Sequence, residues 1–164
     1  MVYVALLRGI NVGGTKAVPM ADLKAVFEGA GLCRVRTYIN SGNVICEAPD
    51  AEDRASLTAR LREAIRGRCG FDVPVLLRSR DEMRAVLDLL PAEWANNDAM
   101  KCDVVFLWDG ISADDILAEV PARAGIDTAI RAPGALIWKV DRANATRNVA
   151  IIVPSGWLPH VSSS

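Results

Sequence analysis

The first sixteen residues constrain the fold more than any other part of the sequence. Residues 2–7 form a continuous apolar run rich in Val and Leu, which is typical of a central strand covered on both faces. This run ends directly in the loop Arg-Gly-Ile-Asn-Val-Gly-Gly-Thr-Lys, which is longer than the roughly two to six residues that a strand-to-helix connection requires. We therefore expect a sheet with this strand at its centre, followed by a loop larger than the fold needs.

The rest of the first half alternates between strand and helix patterns. A helix is predicted over residues 19–31, a hairpin over 33–39 and 44–47, a second helix from Pro49 and Asp50 to about Gly70, and a strand over 73–77. The order β-α-β-β-α-β is that of a ferredoxin-like domain, with strand order 4-1-3-2. An open three-layer sheet is the alternative for this half.

The second half repeats part of this order. After a linking helix over residues 81–90 and a boundary marked by Pro91, we predict a strand over 102–108, a helix capped by Ser112 and a hairpin over 126–131 and 136–140. This is β-α-β-β again, with no closing helix and strand. The predicted fold class is α+β, with two ferredoxin-like subdomains (βαββαβ), the second incomplete at its C-terminus. The predicted division is 1–80, a linking helix and loop at 81–98, 99–153, and an irregular tail at 154–164 that we expect to be poorly packed.

Composition excludes several classes of function. The chain has 19 Lys and Arg against 20 Asp and Glu, a net charge of −1, so no global positive field attracts nucleic acid or a membrane. The predicted strands carry too few exposed aromatic residues for sequence-specific RNA binding. The N-terminal apolar run is too short for a membrane span or a signal peptide.

The four cysteines are isolated and have neither Cys-x-x-Cys nor zinc-ligand spacing; they are Cys33, Cys46, Cys69 and Cys102. We expect a cytoplasmic protein without metal or cofactor.

Two distant loops are predicted to meet at one edge of the first sheet. With strand order 4-1-3-2, the first and second strands are parallel, so residues 8–16, the glycine loop, and residues 38–43, the asparagine turn, follow strands that end at the same edge. These two loops supply cations that bind an anion, polar side chains that bind the polar edge of a ligand, and glycines whose backbone N–H groups are exposed at a helix N-terminus. Together they predict a ligand-binding site formed by Arg8, Gly9, Asn11, Gly13, Gly14, Lys16, Asn40, Ser41 and Asn43. The predicted function is binding of a small anionic or nucleotide-like ligand.

Other interpretations of these loops remain open. Gly and Asn pairs also make ordinary tight turns, and the glycine loop matches neither a Walker A loop nor G-x-G-x-x-G. An enzyme that uses Arg8 and Asn40 as oxyanion donors lacks an identified base, because the single histidine is His160. A third interpretation is a self-associating protein, a homo-oligomer, because a missing edge strand leaves unpaired backbone groups.

Four segments also resemble a known bacterial family. MVYVALLRGINVGG (1–14), VPMADLKAVFEGAG (18–31), TYINSGNV (37–44) and FDVPVLLRS (71–79) are similar to the family called domain of unknown function 1697. The resemblance implies an α+β fold with two ferredoxin-like subdomains and supplies no catalytic residue. It also implies a terminal element after LIWKVDR (136–142). ATRN (145–148) resembles either the closing motif of that element or an earlier segment that precedes it. We favour the second interpretation, in which the closing element is absent, because residues 154–164 lack helical or strand periodicity.

Overall fold

The computed structural model describes residues 1–40 and 42–145. These residues form a mixed α+β structure with two antiparallel sheets and four α-helices, and without a closed barrel. The chain divides into two compact units, Met1–Arg80 and a second that begins at Asp81. No helix in the described ranges has the length and apolar character that a membrane crossing demands.

The first unit is a four-stranded sheet with two helices on one face. Its elements are β1 (Val2–Leu7), α1 (Met20–Gly29), β2 (Cys33–Tyr38), β3 (Asn43–Glu47), α2 (Arg54–Cys69) and β4 (Val75–Ser79). The strand order is β2-β3-β1-β4, and β1 pairs antiparallel with both β3 and β4. The apolar run at residues 2–7 is therefore a central strand, as its composition predicts.

Alternation along the strands separates the two faces of this sheet. Tyr3, Ala5 and Leu7 of β1 point toward the helices and join one buried core. That core also takes its largest side chains from both helices, at Leu23, Phe27, Leu57, Leu61 and Ile65. The remaining strand residues lie on the opposite face, which we call the second face.

The start of α2 and the position of β4 differ from the predicted ones by two residues or more. The second helix begins at Arg54, not at Pro49 or Asp50, because Asp53 is its N-cap and accepts a hydrogen bond from the Ser56 backbone N–H at 3.0 Å. The strand predicted over residues 73–77 lies over Val75–Ser79 instead, two residues further along the chain.

The second unit contains the remaining elements. These are α3 (Arg80–Leu89), β5 (Met100–Phe106), α4 (Ala113–Glu119), β6 (Asp127–Ala132), β7 (Ala135–Asp141) and a 3₁₀ turn (Arg142–Asn144). Its sheet has the order β5-β7-β6, with antiparallel pairing throughout. The first three strands of the first unit have the corresponding arrangement, since there too the third strand lies between the first and the second.

Local signals fix the elements of this second sheet. Ser112 caps α4 and shares a capping box with Asp115, as the sequence predicts. Trp138 of β7 is buried with Ile116 of α4 in a second core. The predicted irregular tail at 154–164 and most of ATRN at 145–148 lie outside the described residues.

One ion pair of this unit is well shielded from solvent. The Arg123 guanidinium donates to both carboxylate oxygens of Asp127, at 2.6 and 2.8 Å. The Asp127 side chain is 3% exposed. The hydrogen bonds from Arg123 hold the pKa of Asp127 below its usual range, against the opposing effect of burial.

Candidate functional site at the loop edge of the first sheet

The glycine loop and the asparagine turn meet at one edge of the first sheet. The Leu7 backbone N–H donates to the Gly42 carbonyl at 3.1 Å, and the Arg8 backbone N–H donates to the Pro74 carbonyl at 3.1 Å. These bonds extend the pairing of β1 beyond its last residue on both sides. The structure thus brings the two loops together, as the predicted strand order requires.

The glycine loop is itself a small hairpin. The Asn11 backbone N–H donates to the Lys16 carbonyl at 3.1 Å, and Val12 bridges Thr15. Gly13 and Gly14 form the turn with φ of 62° and 76°, the positive pair that a type I′ turn requires. The prediction that these glycines lie at a helix N-terminus is wrong, because α1 begins only at Met20 and the glycines turn the hairpin before it.

Asn11 connects the hairpin to its surroundings. Its side-chain Nδ2 donates to the Val18 carbonyl at 2.9 Å and to the Asn40 carbonyl at 2.8 Å, while its Oδ1 accepts from the Val18 backbone N–H at 2.7 Å. Its φ of 53° is in the left-handed region, which Asn tolerates better than most residues. One side chain of the glycine loop therefore joins the segment that follows the loop, at Val18, to the asparagine turn.

Gly42 makes the closest packing contact between the two loops. A Cβ atom at this position would lie 2.6 Å from the Ile10 Cδ1 atom and 3.0 Å from the Leu7 Cβ atom, and its φ is +87°. Ile10 is fully buried beneath this contact. Gly42 was not among the predicted site residues, although the Asn-Ser-Gly-Asn turn contains it. Sequence alone does not indicate that a second loop packs directly against this glycine.

Arg8 is a cation of this edge that has no carboxylate partner among the described residues. Its side chain is half-buried, and no hydrogen bond or ion pair joins its guanidinium to another described residue. Leu7 faces the helices, so strand alternation places Arg8 on the second face of the sheet. Gly9 follows it, exposed, with a φ of +74° and open space where a Cβ atom would lie.

Lys16, the second cation of the predicted site, contacts an aromatic ring. Its Nζ lies 5.6 Å from the centroid of the Phe71 ring, a cation–π contact, and Phe71 packs against the core on the helix side of the sheet. Hydrogen bonds from Arg62 lower the pKa of nearby Asp72, and the charge of Lys16 contributes to the same effect. Lys16 is therefore engaged away from the second face.

The asparagine turn contributes its members unequally. Asn40 is exposed, and its backbone carbonyl accepts the Asn11 bond. Asn43 is 7% exposed and is the first residue of β3, opposite Leu6 on one side and Tyr38 on the other. The predicted site residue Ser41 lies outside the described residues.

Three of the four cysteines lack the character of nucleophiles. Burial raises the pKa of Cys46 to about 11, and burial likewise raises the pKa values of Cys69 and Cys102, so these thiols stay protonated near neutral pH. Within residues 1–40 and 42–145, no group of three or more His, Cys, Asp or Glu side chains is placed to hold a metal ion.

Comparison with known proteins places this chain in a family. A family model described as "Protein of unknown function (DUF1697)" matches residues 1–138, which confirms the resemblance found in the sequence. The chain is also similar to a solved structure, conserved bacterial protein SP0830 from Streptococcus pneumoniae. The two are 30% identical, with a TM-score of 0.71, over 85% of this chain and 76% of that chain. No curated protein matches the chain.

Proposed function

We propose that this chain, which belongs to the DUF1697 family of proteins of unknown function, binds a small anionic or nucleotide-like ligand where the glycine loop meets the asparagine turn. The observation that carries the proposal is the state of Arg8. Several other arginines of the first unit are paired with carboxylates, such as Arg34 with Glu47 and Arg62 with Asp72. Arg36 and Arg66 have no such partner among the described residues, but both are exposed. Arg8 is half-buried at the joined loops without such a partner among the described residues.

The position of this cation favours an anion as its partner. A half-buried guanidinium has lost part of its hydration, which a charge-assisted hydrogen bond to a phosphate or carboxylate replaces. The exposed backbone of Gly9 and the exposed Asn40 side chain lie at the same edge and supply further donors. Asn11 and Gly42 bring the two loops together, so we assign them a positioning role.

The domain type we propose for the first unit is ferredoxin-like. The order β-α-β-β-α-β and the strand arrangement β2-β3-β1-β4 support it. The order β5-β7-β6 of the second sheet supports an incomplete version of the same unit.

Calorimetric titration with inorganic phosphate and with adenosine monophosphate tests the proposed function. We expect Arg8→Ala to weaken binding of both ligands by about 10- to 150-fold, the equivalent of one charge-assisted hydrogen bond. Lys24→Ala is the control, because it removes one positive charge from the exposed surface of α1 without touching the loop edge. Equal affinities for wild type and Arg8→Ala, or no binding of either ligand, would contradict the proposal.

Self-association is the alternative function. In the described part of the second sheet, β5 and β6 each pair with β7 alone, and free strand edges invite pairing between copies. Charged residues on these strands, among them Lys101, Asp103 and Arg131, act against such pairing. Light scattering across a concentration series, with and without phosphate, decides between the two functions. A stable dimer unaffected by phosphate supports this alternative, whereas a monomer that binds phosphate supports the first proposal.

A further inference from the structure

The second face of the first sheet carries an exposed surface next to the loop edge. Tyr38 is 65% exposed and Ile45 is 40% exposed, and Arg36 is exposed beside them. All three lie on the second face, because Val35 and Thr37 of β2 and Val44 and Cys46 of β3 point toward the helices. We call Arg36, Tyr38 and Ile45 the β2–β3 surface.

The strand register places this surface within reach of Arg8. Tyr38 pairs with Asn43, and Asn43 pairs with Leu6, so Tyr38 and Leu6 stand in one row across three strands. Adjacent strands are about 4.8 Å apart and successive residues rise about 3.3 Å. The Cα atoms of Tyr38 and Arg8 are therefore about 12 Å apart. Both side chains are long enough to shorten the distance between an aromatic ring and a guanidinium considerably.

The charge of the sheet is also one-sided. Every residue of the four strands is described. Arg34 pairs at 3.0 Å with Glu47, the one carboxylate on these strands, Arg78 is buried and makes interactions of its own, and Arg36 is exposed. The whole chain has a net charge of −1, so the positive charge on these strands is a local feature. It complements an anionic ligand, not a basic or neutral apolar surface.

Tyr38 is the aromatic residue that the four described strands present on the second face. The four strands contain two aromatic residues, and Tyr3 is buried in the core on the helix side, which leaves Tyr38 on the second face. A tyrosine ring binds a nucleobase by stacking, and one ring accommodates one base. Extended single strands are bound by successive rings, so this surface fits one nucleotide better than a polymer.

We infer that the ligand of the loop edge is a nucleoside phosphate, whose phosphate binds Arg8 and whose base stacks on Tyr38 beside Ile45. This inference rests on the proposed function and adds the class of ligand and the residues that recognise its base. Val4, Ile45 and Arg36 form the neighbouring row across the same three strands. Arg36 therefore flanks the stacked base. Because the base is held by its flat face, purine and pyrimidine nucleotides are expected to bind with similar affinity.

Titration with four probes separates the base from the phosphate. The probes are inorganic phosphate, ribose 5-phosphate, adenosine monophosphate and a short oligoadenylate. We expect adenosine monophosphate to bind more tightly than ribose 5-phosphate. We expect Tyr38→Ala to weaken the binding of adenosine monophosphate by about 5- to 150-fold and to leave the affinity for ribose 5-phosphate unchanged. Tyr38→Phe keeps the ring and should retain the affinity, and the exposure of Tyr38 makes both variants compatible with folding.

The failures of the two proposals give different results. If ribose 5-phosphate binds as tightly as adenosine monophosphate, or Tyr38→Ala has no effect, the nucleotide inference is wrong while the anion site stands. If Tyr38→Ala weakens adenosine monophosphate but Arg8→Ala does not, the base platform stands and the proposed anion site is wrong. A much tighter complex with the oligoadenylate than with the mononucleotide would identify a single-stranded nucleic acid as the ligand and overturn the inference. Absence of binding by all four probes overturns both proposals.

Discussion

Replacing Asn11 should destabilise the loop edge by an amount that the structure allows us to work out. The side chain makes three hydrogen bonds of 2.7 to 2.9 Å, each worth about 0.5–1.5 kcal/mol net. Because the site is partly exposed, we use the lower half of that range and expect a loss of about 2 kcal/mol. Asn11→Ala additionally places alanine at a φ of 53°, in the left-handed region that alanine tolerates less well than asparagine. This costs about 1 kcal/mol more. Asn11→Gly avoids that second cost.

Amide hydrogen exchange measures this effect where it arises. The Val18 N–H donates to the Asn11 Oδ1 atom, so its exchange should accelerate about 30-fold or more in Asn11→Gly, and further in Asn11→Ala. Asn40→Ala is the matched control, because Asn11 bonds to the backbone carbonyl at that position and the substitution leaves this bond in place. An unchanged Val18 exchange rate in Asn11→Ala, or an equal change in Asn40→Ala, would refute the reasoning.

Three further substitutions test other contacts. Gly42→Ala should lower the free energy of unfolding, measured by urea denaturation, by about 2 kcal/mol or more, because of the positive φ and the overlap with Ile10. If adding Ile10→Val to this variant recovers none of the loss, the overlap is not the cause. Asp127→Asn should cost about 1.5–3 kcal/mol at neutral pH. Since the folded-state pKa of Asp127 is lowered, its stabilising effect is present above the unfolded pKa of about 3.9 and is lost as the pH falls through the folded value, so wild type and variant should converge in acid denaturation curves. Ser112→Ala should lower the free energy of unfolding by about 1 kcal/mol. Tryptophan fluorescence monitors this unfolding, because all four tryptophans lie beyond residue 93; an unchanged midpoint would show that the capping box is dispensable.

Sequence patterns predicted the elements of this chain better than their ends. The apolar run at residues 2–7 predicts a buried strand. The order of elements then limits the sheet to few topologies, and the observed one has β1 between β3 and β4. The start of α2 was misplaced because Pro49 and Asp50 are plausible first residues of a helix. The structure instead uses Asp53, whose carboxylate satisfies a free N–H of the first turn.

The loop edge was predictable in its location but not in its internal structure. Parallel β1 and β2 bring the two loops together, and this follows from topology alone. That Gly13 and Gly14 turn a hairpin depends on the pairing of Val12 with Thr15, which no periodicity signals over so short a segment. The orientation of Lys16 toward Phe71 depends on residues more than fifty positions apart. The exposure of Tyr38 depends on its place in the edge strand.

The measurement that tests the central claim most directly is the position of ligand-induced shifts in a ¹H–¹⁵N NMR spectrum of the whole chain during titration with inorganic phosphate. The account predicts that the largest shifts are those of the Arg8, Gly9 and Asn40 amides, and that Arg8→Ala abolishes them while Lys24→Ala leaves them in place. Shifts centred on other residues of the chain, or none at phosphate concentrations where ionic strength is held constant, would contradict the assignment of the loop edge as an anion-binding site.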